Sequence, residues 1–295
     1  MIKIIRPSQR PAGGRAPSSA GAMTRQQTQY ETDAVLHRGL SSMAWRTLDL
    51  LYAGGIMTVD QIGLTQRTLR RYAKRRLIAR YPYPPKEVIQ QLEERFIAVE
   101  DGQLYTLGQV GMEILATRHG ARPSQVYLAY PFERILRALV LNEIVRKIAA
   151  EAEWHGWLLT RYSREQAQLI KDEKAIFFPD ALICLERGEQ EVLFLIEYHD
   201  EENRREAHQN VDQYETAWES GLWEEAWLGE NFPLVLTVFQ HDVVGEGYRE
   251  AIAEMRAVNC SFYGRSLNGI WLAGGMDVWV NINKGNREKV FPWQE

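Results

Sequence analysis

Two acidic residues sit beside apolar runs that read as strands. Asp180 closes Phe178-Pro179-Asp180, just ahead of the run from Ala181 to Leu185, and Glu197 follows a second apolar run and leads into Tyr198-His199-Asp200. Carboxylates at neighbouring strand ends lie about one strand spacing apart, ~5 Å. Two oxygen ligands at that separation suit a hard cation such as Mg²⁺, and a cation so held stabilises charge building up on a phosphoryl group. Asp180 and Glu197 are therefore candidate catalytic residues and metal ligands.

A second set of residues suits a polyanion. The stretch Thr65–Arg80 carries seven basic side chains, and no acidic residue occurs between Gln61 and Lys86. On a helix in the major groove, the first side chains reach base edges and the flanking ones reach phosphates. That casts Gln66, Arg67, Arg70 and Arg71 as base or backbone contacts, and Lys74 and Arg75 as phosphate contacts. Arginine pairs bidentately with guanine and glutamine with adenine, so the residue types fit, but they do not name the base.

The whole chain has a net charge of −4, which alone argues against nucleic acid. The distribution argues otherwise. Residues 1–130 hold 18 Lys/Arg against 10 Asp/Glu (+8), and the remainder holds 17 against 29 (−12). Such asymmetry is the footprint of one charged binding unit. Cys184 and Cys260 form no CxxC or Cys/His cluster and read as core thiols, which excludes a disulfide framework and a zinc site. His199, His208 and His241 are not at metal-ligand spacing. The tryptophans at 154, 157, 218, 223 and 227 read as core. No stretch is long and apolar enough for a signal peptide or membrane span, so a cytoplasmic location and no membrane partner are expected.

The elements that must position these residues follow from periodicity and punctuation. Residues 1–35 are rich in Ser, Pro, Gly and Gln and read as a disordered basic tail. Residues 36–120 predict three helices: Ser41–Ala53 stopped by Gly54-Gly55, a short one capped by Thr58 and ended by Gly63, and Gln66–Arg80 capped by Thr65. Asp101-Gly102 then joins two strand-like runs within Phe96–Leu107, a hairpin signal, and a helix follows at Gln109–Thr117. Helix-turn-helix followed by a hairpin is the layout of a winged-helix DNA-binding domain. Gly120 and Pro123 mark a boundary. Residues 125–295 predict an α/β domain with a mixed sheet: a helix at Phe132–Glu153, strands at Gly156–Thr160, Ala181–Glu186 and Val192–Tyr198, a helix at Arg204–Ser220, a strand at Leu234–Gln240, a helix at Gly247–Val258 and a strand at Gly269–Leu272. Asp200-Glu201-Glu202, followed by Arg204-Arg205, reads as a solvated loop.

The order of Pro-Asp, strand and acid resembles the restriction-endonuclease-like (PD-(D/E)XK-type) fold. The resemblance implies a lysine two residues past the second acid and a glutamate from the first long helix, for which Glu143 is the candidate. At the lysine position this chain carries His199, with Lys171 and Lys174 upstream, so a degenerate nuclease-like domain is expected over an active one. More widely, the chain resembles the replication-relaxation family of plasmids and mobile elements over about residues 40–270. The likeness runs through Leu104-Tyr105-Thr106-Leu107-Gly108-Gln109-Val110-Gly111, Phe178–Ile183, Phe194–Asp200 and the helix with Gln213 and Tyr214. It implies an accessory double-stranded-DNA-binding protein in replication initiation, relaxation or mobilisation, with a relaxase or replication protein, or a second copy, as further partner. An active Mg²⁺- or Mn²⁺-dependent endonuclease or nickase and a plain winged-helix transcriptional regulator are the alternatives.

Overall fold

The computed structural model describes residues 23–81, 86–95, 97, 103–120, 122–125, 132–255, 259–272 and 276–294. The first unit comprises α1 (Arg25–Arg38), α2 (Ser42–Gly54), β1 (Ile56–Thr58), α3 (Val59–Ile62), α4 (Gln66–Lys74), β2 (Ile78–Tyr81), α5 (Lys86–Glu94), β3 (Leu104–Leu107) and α6 (Gln109–His119). Thr24, Ser41, Thr58 and Thr65 cap α1 to α4, each accepting a backbone N–H with its side-chain oxygen. Gly55 and Gly63 leave α2 and α3 at positive φ. Gly54 is needed for close approach instead, since a Cβ there would collide with the Met57 side chain and lie 2.9 Å from Asn142 Oδ1.

Three features differ from what the sequence predicts. The basic helix ends at Lys74 rather than Arg80. Arg76 turns the chain at φ +56°, Leu77 N–H donates to Tyr72 O, and Ile78–Tyr81 becomes a strand instead. β3 pairs antiparallel with both β1 and β2, in the order β1-β3-β2, and α5 lies between β2 and β3 in sequence. The strand neighbour of Leu104–Leu107 is thus Ile78–Tyr81, while the expected Asp101-Gly102 turn lies outside the described residues. Finally, α1 occupies Arg25–Arg38, part of which reads as tail in the sequence; residues 1–22 lie outside the described ones.

The second unit begins with α7 (Phe132–Trp154), β4 (Leu158–Arg161), α8 (Arg164–Ala167), β5 (Leu169–Lys171), β6 (Lys174–Phe177), β7 (Ala181–Arg187) and β8 (Gln190–His199). It continues with α9 (Arg205–Glu219), α10 (Leu222–Trp227), β9 (Leu234–Phe239), α11 (Asp242–Met255), β10 (Phe262–Ser266), α12 (Leu267–Trp271), β11 (Trp279–Asn281) and β12 (Arg287–Glu288). Seven strands form one mixed sheet in the order β12-β11-β10-β9-β8-β7-β4, in which only β8–β9 and β9–β10 run parallel. The fold is thus α+β with a mixed sheet. The expected strand at Gly269–Leu272 is the helix α12, started by Ser266 Oγ accepting from Gly269 N–H.

Alternation along β8 sorts its side chains between two cores. Phe194, Ile196 and Tyr198 join α7 on one face, and Leu195 joins Val211, Tyr214 and Tyr248 of α9 and α11 on the other. Trp157, Trp223 and Trp227 are buried as expected, but Trp154 is 84% exposed and Trp218 is partly so. Both thiols are buried, and burial raises the Cys184 pKa to about 11. Among the described residues no helix is long and apolar enough to cross a membrane.

The two units share a core. Ile56, Leu92, Ile97 and Leu104 pack in the same cluster as α7. Asn142 on α7 donates to the carbonyls of Gly54 (3.2 Å) and Ile56 (2.7 Å), and Gln61 Nε2 donates to Leu139 O (2.8 Å). Asn142→Leu should remove both donations and leave two carbonyls without their partner. The expected loss is about 1–3 kcal/mol, read as a lower urea midpoint; an unchanged midpoint would show that this clamp does not hold the units together.

Candidate functional site

On α4 the buried residues are Leu69 and Tyr72, which turn toward the core of the first unit. The opposite face follows from helical spacing: positions 67, 70, 71 and 74 fall at i, i+3, i+4 and i+7. Arg67, Arg70, Arg71, Lys74 and Arg75 are all exposed, and no described carboxylate forms an ion pair with any of them. Gln66 is half-buried and accepts from Arg70 Nη2 at 3.1 Å. The structure therefore places five of the six expected residues on one short helix and Arg75 at its C-cap.

The carboxylates meet as well, but in different company. Asp180 lies just before β7, and Glu197 sits on β8, where Ala181 pairs with Ile196. Asp180 N–H donates to Glu197 Oε1 (3.3 Å), and Tyr198 N–H donates to Asp180 Oδ2 (3.0 Å). Tyr214 of α9 donates its hydroxyl to Glu197 Oε1 at 2.7 Å. Burial, reinforced by the Asp180 charge, pushes the Glu197 pKa well above the usual carboxylate range.

The third member is Arg137 from α7. It donates to Asp180 Oδ2 (2.9 Å) and to Glu201 Oε1 (2.7 Å), with Asp200 at 3.9 Å. Burial alone would weaken its charge; Asp180, then Glu201 and Glu197, hold it firmly protonated. Asp200 and Glu201 are consequently part of a partly buried ion network rather than the solvated loop that the acidic run suggests. Glu201 is held down at about 2: burial would raise it, but the hydrogen bond with His199 and the charge of Arg137 outweigh that.

His199 is fully buried. Its Nδ1 faces Glu201 Oε2 (3.2 Å), and its Nε2 lies 2.8 Å from the Tyr248 hydroxyl, with Asn210 Nδ2 at 3.3 Å. A carboxylate only accepts, so Nδ1 carries the hydrogen that it shares with Glu201. Held between three partners, His199 positions Glu201. Glu143 is not among the cluster. Six residues along a helix rotate a side chain by about 240° from Arg137, and Glu143 instead holds Arg146 at 2.5 Å and faces Gln61 of the first unit. Lys171 and Lys174 are exposed and pair with each other's backbone at the tip of the β5–β6 hairpin.

This donor set does not fit Mg²⁺ as arranged. Burial disfavours charge on Glu197, and a guanidinium already sits against Asp180, repelling a second cation. Among the described residues no group of three or more His, Cys, Asp or Glu is arranged to hold a metal ion. Sequence reasoning did not single out Arg137. The available signal was a cation beside Ile135, Leu136 and Leu139 on an otherwise apolar stripe. Comparison of the chain with protein-family models, curated proteins and solved structures finds no match.

Two outcomes follow. Arg137→Met should cost about 3 kcal/mol, because it strands two carboxylates without their cation; chemical denaturation measures it. Glu197 and Glu201 give opposite pH arms. A raised pKa stabilises the fold fully below the ordinary value of 4.5 and loses that contribution as pH rises through the raised value. The depressed Glu201 contributes above 4.5 and loses it as pH falls toward about 2. Glu197→Gln keeps an oxygen for Tyr214 and Asp180, so it should be at least as stable as the parent at alkaline pH and should flatten the alkaline arm. A variant less stable than the parent at alkaline pH would contradict the neutral-acid assignment.

Proposed function

We propose that this chain binds double-stranded DNA through α4, used as the recognition helix of a winged-helix module. The single observation that carries the reading is the outer face of α4: four exposed cations, with Arg75 at the C-cap, none of them paired to a carboxylate among the described residues, on a helix whose other face is anchored by Leu69 and Tyr72. Duplex DNA draws such a face by counterion release, and the affinity then falls with salt. The three-stranded β1-β3-β2 sheet beside α4 supports a winged helix.

The second unit is read as a restriction-endonuclease-like domain that has lost cleavage. A carboxylate before β7 and another at the end of β8, two adjacent antiparallel strands, support the likeness. Arg137, which supplies internally the positive charge a metal would bring, supports the loss. With the resemblance to the replication-relaxation family, this makes the chain an accessory DNA-binding factor of a plasmid or mobile element, acting in replication initiation or mobilisation.

Binding to duplex DNA at several salt concentrations tests the first part. Arg70→Ala and Arg71→Ala should each weaken affinity and reduce the slope of log affinity against log salt by about 1. Unchanged affinity and slope in both would retire α4 as the binding helix. Supercoiled plasmid incubated with Mg²⁺ or Mn²⁺ tests the second. It should stay supercoiled, and nicking that disappears in Asp180→Ala would overturn the closed site.

A further inference from the structure

A cleft of about 420 Å³ opens between the units, away from the outer face of α4. Its lining includes the apolar Ile135, Ala138 and Leu141 of α7 together with Arg134, Arg137, Arg161, Arg164, Glu165 and Asp180. Its size lies within the ~300–1,000 Å³ of small-ligand sites.

The arginines are not equivalent. Arg137 is neutralised by Asp180 and Glu201. Arg161, on the edge strand β4, donates through Nη1 to Asn142 Oδ1, while its Nε is buried and meets no hydrogen-bond partner among the described residues. Burial lowers its pKa to about 10, with Asp180 opposing the shift. A half-buried guanidinium with one donor unmet is stabilised by an anion that accepts from its accessible nitrogen.

The second feature is Phe178. It is 46% exposed, although the residues around it, Phe177 and Pro179, are buried, and the Arg164 guanidinium lies 5.3 Å from its ring centroid. An exposed ring with an arginine over it is a platform on which a planar base stacks. Apolar side chains, unmet guanidinium and aromatic platform line one opening.

We infer that this cleft binds a phosphorylated nucleotide unit, its phosphate accepting from Arg161 and Arg164 and its base stacked on Phe178. The unit is either a free nucleotide or part of an unpaired DNA strand. The inference goes beyond duplex binding by α4 and does not depend on it, since none of the residues involved lies on that helix. If both hold, the chain grips duplex at one surface and an unpaired base at another, as a factor acting where strands separate would need to do.

The full chain at low salt decides this, with fluorescent oligothymidylate followed by anisotropy and thymidine monophosphate by calorimetry. Binding of both probes supports a mononucleotide site; binding of oligothymidylate alone supports an unpaired strand. Phe178→Ala removes the platform and its contact with Arg164 while leaving the net charge and the buried core unchanged, and Arg161→Gln keeps a donor for Asn142. Each should lower the affinity of the bound probe about tenfold, leaving duplex affinity within about twofold. If Arg161→Gln does not fold, Phe178→Ala alone carries the test. Failure of both probes to bind, or oligothymidylate affinity unmoved by Phe178→Ala, overturns the proposal. So does oligothymidylate binding that is lost only in Arg70→Ala and Arg71→Ala. Loss of duplex binding in the α4 variants with the cleft probes unaffected would concern α4 only.

Discussion

A helix that is apolar around its whole circumference must be covered on every side, and the middle of α7 is such a helix. Every residue from Leu139 to Val145 is buried, about two full turns. One side lies on the seven-stranded sheet; another takes β1, α3 and α5 of the first unit. Neither unit alone can bury α7, so the pair folds around it. Even the polar residues of this stretch serve the same end: Asn142 satisfies the carbonyls of Gly54 and Ile56, and Glu143 faces Gln61.

The same helix delivers Arg137 to the acidic site, and this decides the chemistry there. Four carboxylates converge within reach of one guanidinium: Asp180, Glu197, Asp200 and Glu201. Burial makes so much like charge costly unless it is protonated or paired. The cluster uses both routes, a neutral-favouring Glu197 and an ion-paired Asp180 and Glu201. His199 completes it from below, held by Tyr248 and Asn210 so that its Nδ1 meets Glu201. The result is an internally ion-paired site whose geometry follows from the strands and whose cation is delivered by the helix.

The fixed position of the first unit on α7 also creates the cleft. Its lining comes from five separate stretches of chain, and the shared core sets the spacing between Gly54–Ile56 and β4. The outer face of α4 owes nothing to this arrangement, being displayed by the local packing of Leu69 and Tyr72.

Local signals in the sequence were sufficient for much of the architecture. The caps at Ser41, Thr58 and Thr65, the stops at Gly55 and Gly63, the acid-free run from Gln66, and the strands around Asp180 and Glu197 are set by side-chain hydrogen bonding, backbone freedom and period-two apolarity within a few residues. Where two local signals competed, tertiary pairing chose. Ile78–Tyr81 continues a helical pattern by its residue types, yet becomes a strand because β3 offers it hydrogen bonds. The pairing of Arg137 with Asp180 and Glu201 spans 43 and 64 residues, and no spacing rule links such distant positions. The sequence by itself determined which residues carry charge and where the chain turns. Which charges meet, and therefore whether the acidic pair is open to a cation or closed by an arginine, was decided only when α7 was buried between the two units.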